Sequence, residues 1–387
     1  MKAAQSTDQK PISILLACSG IGRVSRGFEV SFEQLYDQLR QNDKHTVYLA
    51  QGVKSKQDPR RICPLYFSNA SWVAKFLARF HSLQNYSTEE LGYSLGLLPF
   101  LLFHRIDVIM YSQSWLGIGL FHIRRWFGFR YKLLLSNGAP FGPQAYQGRC
   151  DFVQQKIRWV YDQARDLGFP ENRMTVVPNG FYLGGNAPTN LNERPASKQL
   201  LRIPRDKRVI LSVAALNRHH KRIDYLIREA TPLLLDGTHI LLCLGQEEVE
   251  TQGLRLEFSG LLQQGCLIFK KVRPEEVSTY YRAADVFVSG SLYEGFGRGV
   301  VEALSHGLPC LLHNHPGFKT LAGQYARYVD MSEAGALAKA LREESLRVHT
   351  FEDATAISRY VFDRYDWHNV TPQYEMLFQR CLEMGMI

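Results

Sequence analysis

The sequence predicts an α/β protein built from two doubly wound, Rossmann-like parallel-sheet domains. Three observations predict it. Short apolar, β-rich runs alternate with helical patterns through both halves of the chain. One stretch rich in Gly, Pro, Asn and Ser, from Leu183 to Lys198, interrupts that alternation near the middle. Finally, Asp285 to Pro309, DVFVSGSLYEGFGRGVVEALSHGLP, reads as strand, glycine loop and helix in direct succession.

The first half opens on Ile12 to Ala17, a continuous β-rich run of the kind a buried parallel strand shows. A turn follows, Cys18 to Arg23, and then Phe28, Leu35 and Leu39 mark one face of a helix. The turn is not a dinucleotide fingerprint, because Ser25 stands where the third glycine of G-x-G-x-x-G belongs. Val47 to Ala50 reads as a second strand. Ser71 to Phe103 is largely helical, with Trp72, Phe76, Leu77 and Phe80 on one face. Asp107 to Tyr111 and Lys132 to Leu135 read as further strands. Asp151 to Ala164 reads as a helix, and Met174 to Gly180 closes the half as strand and turn.

The second half repeats the scheme. Arg208 to Val213, Ile240 to Gly245 and Cys266 to Phe269 read as strands, with a helix over Tyr225 to Leu235. The domain bounds that follow are 1–183, a linker 184–204, 205–365, and a closing helix 366–387. In doubly wound sheets, ligands lie beyond the carboxyl ends of the strands at the topological switch, so the site is expected in the cleft between the domains.

The Asp285–Pro309 stretch carries the chemistry. Val286 to Val288 is apolar and strand-like. Gly295, Gly297 and Gly299 stand at alternate positions, and Val300, Val301, Ala303 and Leu304 give a helical face ended by Gly307 and Pro309. A glycine loop feeding a helix N-terminus aims N–H groups at one point, which suits phosphate. Glu294 precedes the loop and Glu302 lies in the helix. Carboxylates accept from sugar hydroxyls but repel phosphate, so the pattern fits a nucleotide sugar. Upstream, Asn217-Arg218-His219-His220-Lys221 is a cationic loop leading into a helix. Fixed cations there can carry the charge that builds on a departing diphosphate.

These motifs resemble the signature of retaining glycosyltransferases of the GT-B fold, most closely glycosyltransferase family 4. The resemblance implies a hexosyltransferase-type enzyme that moves a sugar from a UDP- or GDP-linked donor to an acceptor. Glu294 would orient the sugar, and Glu302 would hold the nucleotide ribose. Lys221, Arg218 and the Gly295–Gly299 amides would stabilise the leaving group. Phe296, Arg298, Asn217 and Gly22 are carried over as donor-binding positions, as is Arg273 in the Lys271–Pro274 loop. Glu29 partly matches the glycine-x-glutamate pattern at the first helix start. Asn137 stands where family members place a histidine facing the sugar, and it cannot shuttle a proton near pH 7. The first domain would bind the acceptor, and the last helix would pack back on it. No D-x-D motif occurs, and neither His219-His220 nor His313 with His315 comes with a cluster of Cys, Asp or Glu at ligand spacing, so neither metal nor cofactor is expected.

Composition narrows the classes further. The chain has 387 residues, 45% hydrophobic and 21% charged, as for a soluble globular protein. A net charge of +9 suits polyanionic partners, but the basic residues are dispersed, which argues against nucleic acid. Seven cysteines without a C-x-x-C pair argue for a reducing compartment. No signal peptide or transmembrane span is expected, so the protein is placed in the cytoplasm. Phe121 to Arg130 mixes aromatics with arginines. The plain reading is a core helix with solvated arginines; the other is peripheral contact with the cytoplasmic membrane face, which suits a lipid-linked acceptor. An NAD-dependent oxidoreductase, and a nucleotide-sugar hydrolase or epimerase, stand as alternatives.

Overall fold

The computed structural model describes residues 11–23, 27–41, 44–54, 58–66, 85–138, 142–143, 146–184, 188 and 193–387. The helical face expected from Trp72 to Phe80 lies outside them. The chain divides into two units. One comprises Met1–Lys156, Val160–Gly180 and Thr371–Ile387, the other Ile157–Trp159 and Phe181–Val370.

The first unit holds a seven-stranded parallel sheet. Its strands are β1 (Ser13–Ala17), β2 (Thr46–Ala50), β3 (Arg61–Ile62), β4 (Val108–Tyr111), β5 (Lys132–Asn137), β6 (Phe152–Gln155) and β7 (Met174–Val176). Their order is β3-β2-β1-β4-β5-β6-β7. Leu15, Ile109 and Leu133 are fully buried, as expected where helices cover both faces of a sheet. The helix Gly27–Gln41 buries Phe32, Leu35, Tyr36 and Leu39.

Two expectations fail here. Residues 152–155, read as part of a helix, form β6, and the helix is confined to Arg158–Asp166. The misleading residues are Gln154 and Gln155, polar yet buried. Gln154 Nε2 donates to Val177 O at 2.8 Å and to Tyr374 Oη at 2.9 Å, so burial leaves its amide nitrogen satisfied. The arginines of the aromatic helix Ser114–Phe127 are not all solvated either. Arg124 is buried in an ion pair with Asp151, and its guanidinium also donates to the Tyr131 and Ile387 carbonyls. Trp126 and Phe127 on the same helix are exposed. No helix among the described residues is long and apolar enough to cross a membrane.

The second unit holds a six-stranded parallel sheet: β8 (Arg208–Val213), β9 (His239–Leu244), β10 (Leu267–Lys270), β11 (Val286–Val288), β12 (Cys310–His313) and β13 (Arg327–Val329). The order is β10-β9-β8-β11-β12-β13, so the winding reverses between β8 and β11. Ile210, Leu241, Val288 and Leu311 are buried in its core, where Leu226 and Ile227 of the helix Ile223–Leu235 join them.

The stretch read as a linker is partly structured. Arg194–Leu200 is a helix with Pro195 in its first turn, where a missing N–H costs nothing. Arg194 and Lys198 both bond Asp285, at 3.0 Å each, and Asp285 also accepts from Val209 N at 2.8 Å. One carboxylate thus joins this helix to the start of β8 and the approach to β11. The closing helix Trp367–Glu383 starts in the second unit and belongs to the first from Thr371 onward.

Candidate active site

The candidate site stands where the winding of the second sheet reverses. The loop after β8 supplies Asn217 to Lys221, and the loop after β11 supplies Ser291 to Gly297. Where the connections leave neighbouring parallel strands in opposite directions, ligands bind beyond the carboxyl ends of the strands, and these two loops stand there.

Lys221 and Glu294 meet there. Lys221 Nζ donates to Glu294 Oε1 at 2.5 Å, with the two side chains only 18% and 13% exposed. Ser291 Oγ donates to the same oxygen at 2.7 Å. Asn217 Oδ1 accepts from the backbone N–H of Lys221 at 2.8 Å and of His220 at 3.2 Å. Asn217 therefore shapes the loop that presents the lysine. Burial lowers the His220 imidazole below its usual value, and the Lys221 charge pushes the same way.

The glycine loop follows. Gly297 caps the helix Arg298–Ser305 with φ +79°, a left-handed conformation that a side chain disfavours. Gly299 lies so near β8 that a Cβ would stand 2.8 Å from the Val213 carbonyl. Phe296 is buried against Phe181 and Tyr365, with ring centroids 6.0 and 5.6 Å away. Both features hold the helix N-terminus, with its outward N–H groups, close to the sheet.

Glu302 is held at both oxygens. Tyr281 Oη donates to Oε2 at 3.0 Å and Arg298 Nη2 to Oε1 at 3.4 Å. The Arg298 guanidinium lies 4.3 Å from the Phe181 ring centroid. Burial lowers its pKa, while it raises the Tyr281 phenol, as does the neighbouring Glu302 charge. The His306 ring stacks on Tyr281, 5.0 Å between centroids. Its Nδ1 faces the Glu302 carbonyl at 2.8 Å and its Nε2 faces Ser278 Oγ at 2.8 Å. Burial pulls this imidazole down to about 4, so it is neutral at pH 7.

Other residues singled out by sequence are occupied elsewhere. Arg218 pairs with Glu257 at 2.7 Å and faces Asp224 at 3.8 Å, instead of joining Lys221 at Glu294. Arg273 is 71% exposed and paired with Glu276 at 2.6 Å. Both arginines sit beside helices whose acids satisfy them, which a cationic run does not reveal.

Three of the named residues belong to the first unit. Asn137 is buried, and its amide donates to Gln155 Oε1 at 2.9 Å. Gly22 turns with φ +83° in the loop after β1, where Gln113 accepts from Ser19 N at 3.0 Å. Glu29 is buried with its carboxylate against Gly20. Tyr281, Ser291 and His306 escaped sequence reading. Tyr281 and Glu302 are 21 positions apart, a spacing that no local rule connects. Among the described residues, no three His, Cys, Asp or Glu side chains gather as a metal cluster would require.

A family model for glycosyl transferases group 1 matches residues 193–346. The match begins beside the helix Arg194–Leu200 and takes in Lys221, Glu294 and Glu302 of the site. An uncharacterized glycosyltransferase of Methanocaldococcus jannaschii is 23% identical over 224 residues, 56% of this chain and 56% of that relative. A GDP-mannose:cellobiosyl-diphosphopolyprenol alpha-mannosyltransferase of Xanthomonas oryzae is 35% identical over 104 residues, 26% of this chain and 27% of its own. The matched stretches thus span about half the first curated relative and about a quarter of the second. The solved structure of Anabaena HepE with UDP and glucose shares the fold. Its TM-score is 0.74 at 15% identity, with 95% of this chain and 99% of that one covered. Two doubly wound units of GT-B type are therefore the fold, and the segment similar to glycosyl transferases group 1 contains the candidate site.

Proposed function

We propose that the protein transfers a sugar from a nucleoside diphosphate sugar to an acceptor, with retention at the anomeric carbon and without a metal ion. The observation that carries this is the meeting of Lys221, Glu294 and the glycine-capped helix N-terminus at the reversal between β8 and β11. The bond from the anomeric carbon to the diphosphate breaks, and its electron pair leaves with the phosphate oxygen; the acceptor hydroxyl oxygen bonds the anomeric carbon on that same face, and its proton passes to the departing phosphate oxygen. Lys221 and the Gly295–Gly299 amides meet the charge that develops, which is the electrostatic term such a transfer needs. Glu294 accepts from donor-sugar hydroxyls. Glu302, fixed by Tyr281 and Arg298, accepts from the ribose.

Both UDP- and GDP-linked donors have support. The HepE structure holds UDP and glucose, and the Xanthomonas relative is named for GDP-mannose. That relative is also named for a diphosphopolyprenol acceptor, and Trp126 and Phe127 expose apolar rings beside Arg125. Both support a lipid-linked acceptor reached from the cytoplasmic membrane face, with aromatic rings at the headgroup boundary and basic residues toward anionic lipid. The test is release of UDP or GDP from a panel of nucleotide sugars, followed with and without polyprenol diphosphate glycans and with chelator present. Acceptor-dependent, chelator-insensitive release supports the reading. Release that needs no acceptor would make the protein a hydrolase.

A further inference from the structure

A recess apart from the candidate site lies in the second unit. It is a groove of about 940 Å³ between the Gly323–Tyr325 turn and the helix Phe351–Tyr365. That is the upper end of the range for small-molecule clefts, ~300–1,000 Å³. Tyr325 and Tyr360 stand with ring centroids 4.7 Å apart at 41°, and Phe351 is half exposed at its rim. Arg364 holds Tyr360, its guanidinium 4.0 Å from the ring centroid.

The lining decides the ligand class. Arg359 and Arg364 are matched by Glu352 and Asp363, so the groove has no excess charge for phosphate, nucleotide or nucleic acid. Gln324 and Thr355 interrupt its apolar surface, which a lipid chain or a hydrophobic helix would leave poorly covered. Aromatic faces beside dispersed donors and acceptors suit a ligand with C–H faces and hydroxyl edges. Ring faces carry partial negative charge that attracts the C–H face of a pyranose, while guanidinium, amide and carboxylate groups bond its hydroxyls.

We propose that this groove binds a neutral oligosaccharide. The choice of a saccharide rests on the transferase reading above. The groove also backs onto the candidate site. Tyr365 Oη donates to the Leu321 carbonyl at 3.1 Å and Tyr360 Oη does so at 3.5 Å. Leu321 in turn lies against Gly297, where a Cβ would stand 3.1 Å from its Cδ2. A glycan held on Tyr325, whose ring packs on Tyr360, thus bears on the residues that support the glycine loop.

The test is calorimetric titration of the full chain with cellopentaose, mannopentaose and maltopentaose, using wild type, Tyr325→Ala and Arg359→Ala. Thermal stabilisation by UDP and GDP is measured on the same samples. Saturable binding of at least one oligosaccharide, weakened about tenfold or more in both variants while the nucleotide shift stays, supports the groove. No saturable binding, or binding equal in all three proteins, overturns it. So does a wild-type dimer that Arg359→Glu dissociates, because a second copy would then occupy the surface. Absence of any nucleotide shift in wild type, with saccharide binding weakened in both variants, counts against the transferase reading and supports the groove.

Discussion

Lys221 Nζ and Glu294 Oε1 lie 2.5 Å apart although 73 positions separate them in the chain. The pair ties the loop after β8 to the loop after β11, and both groups are mostly shielded from water. Glu294→Ala is expected to reduce kcat on the order of a hundredfold, since it removes a contact to the reacting sugar. It leaves the lysine without its acid, so stability falls by roughly 1–3 kcal/mol. Steady-state kinetics and denaturant unfolding measure the two losses separately.

Tyr281 acts through Glu302. Its hydroxyl fixes the carboxylate that we assign to the ribose. Tyr281→Phe keeps the ring stacked on His306 and removes one hydrogen bond to a charged group. The donor KM should rise roughly tenfold with kcat little changed. A fall in kcat at constant KM would contradict the assignment.

Gly297 and Gly335 both have φ near +80°, at +79° and +80°, but only Gly297 has neighbours where a Cβ would stand. Each alanine substitution should cost about 1–2 kcal/mol for the backbone alone. Only Gly297→Ala should also weaken nucleotide binding, because its Cβ presses on Leu321 at the loop. Titration of both variants with UDP and GDP separates the effects.

His306 supplies a pH dependence with a definite sign. Burial lowers its folded value to about 4, against 6.5 for the free side chain. The unfolded chain therefore takes up a proton between those values while the folded one does not. Its contribution is fully present above pH 6.5 and is lost as pH falls toward 4, by roughly 3 kcal/mol in all. The stability advantage of wild type over His306→Asn should narrow across that window. A constant difference would contradict it.

Much of this was legible in the sequence, and the reasons differ by element. The strands β8, β9 and β11 are apolar runs bounded by turns, and the glycine loop announces its helix. The pairing of Lys221 with Glu294 was expected only as a shared site, because which side chains touch depends on the strand order. β6 was hidden because two buried glutamines look like helix surface. The helix Arg194–Leu200 was hidden because its polar, proline-led sequence reads as a linker until Asp285 supplies partners for Arg194 and Lys198. The ion pairs of Arg218 and Arg273 were hidden for a related reason. A basic run shows available cations but not the acids on neighbouring turns that claim them.

The central claim is that Lys221 and the glycine-capped helix receive the diphosphate while Glu302 holds the ribose. Calorimetric titration of wild type, Lys221→Met and Glu302→Ala with UDP and with GDP tests it most directly. The account predicts that one nucleotide binds wild type and that each substitution weakens it tenfold or more. Equal affinity in all three proteins would contradict it.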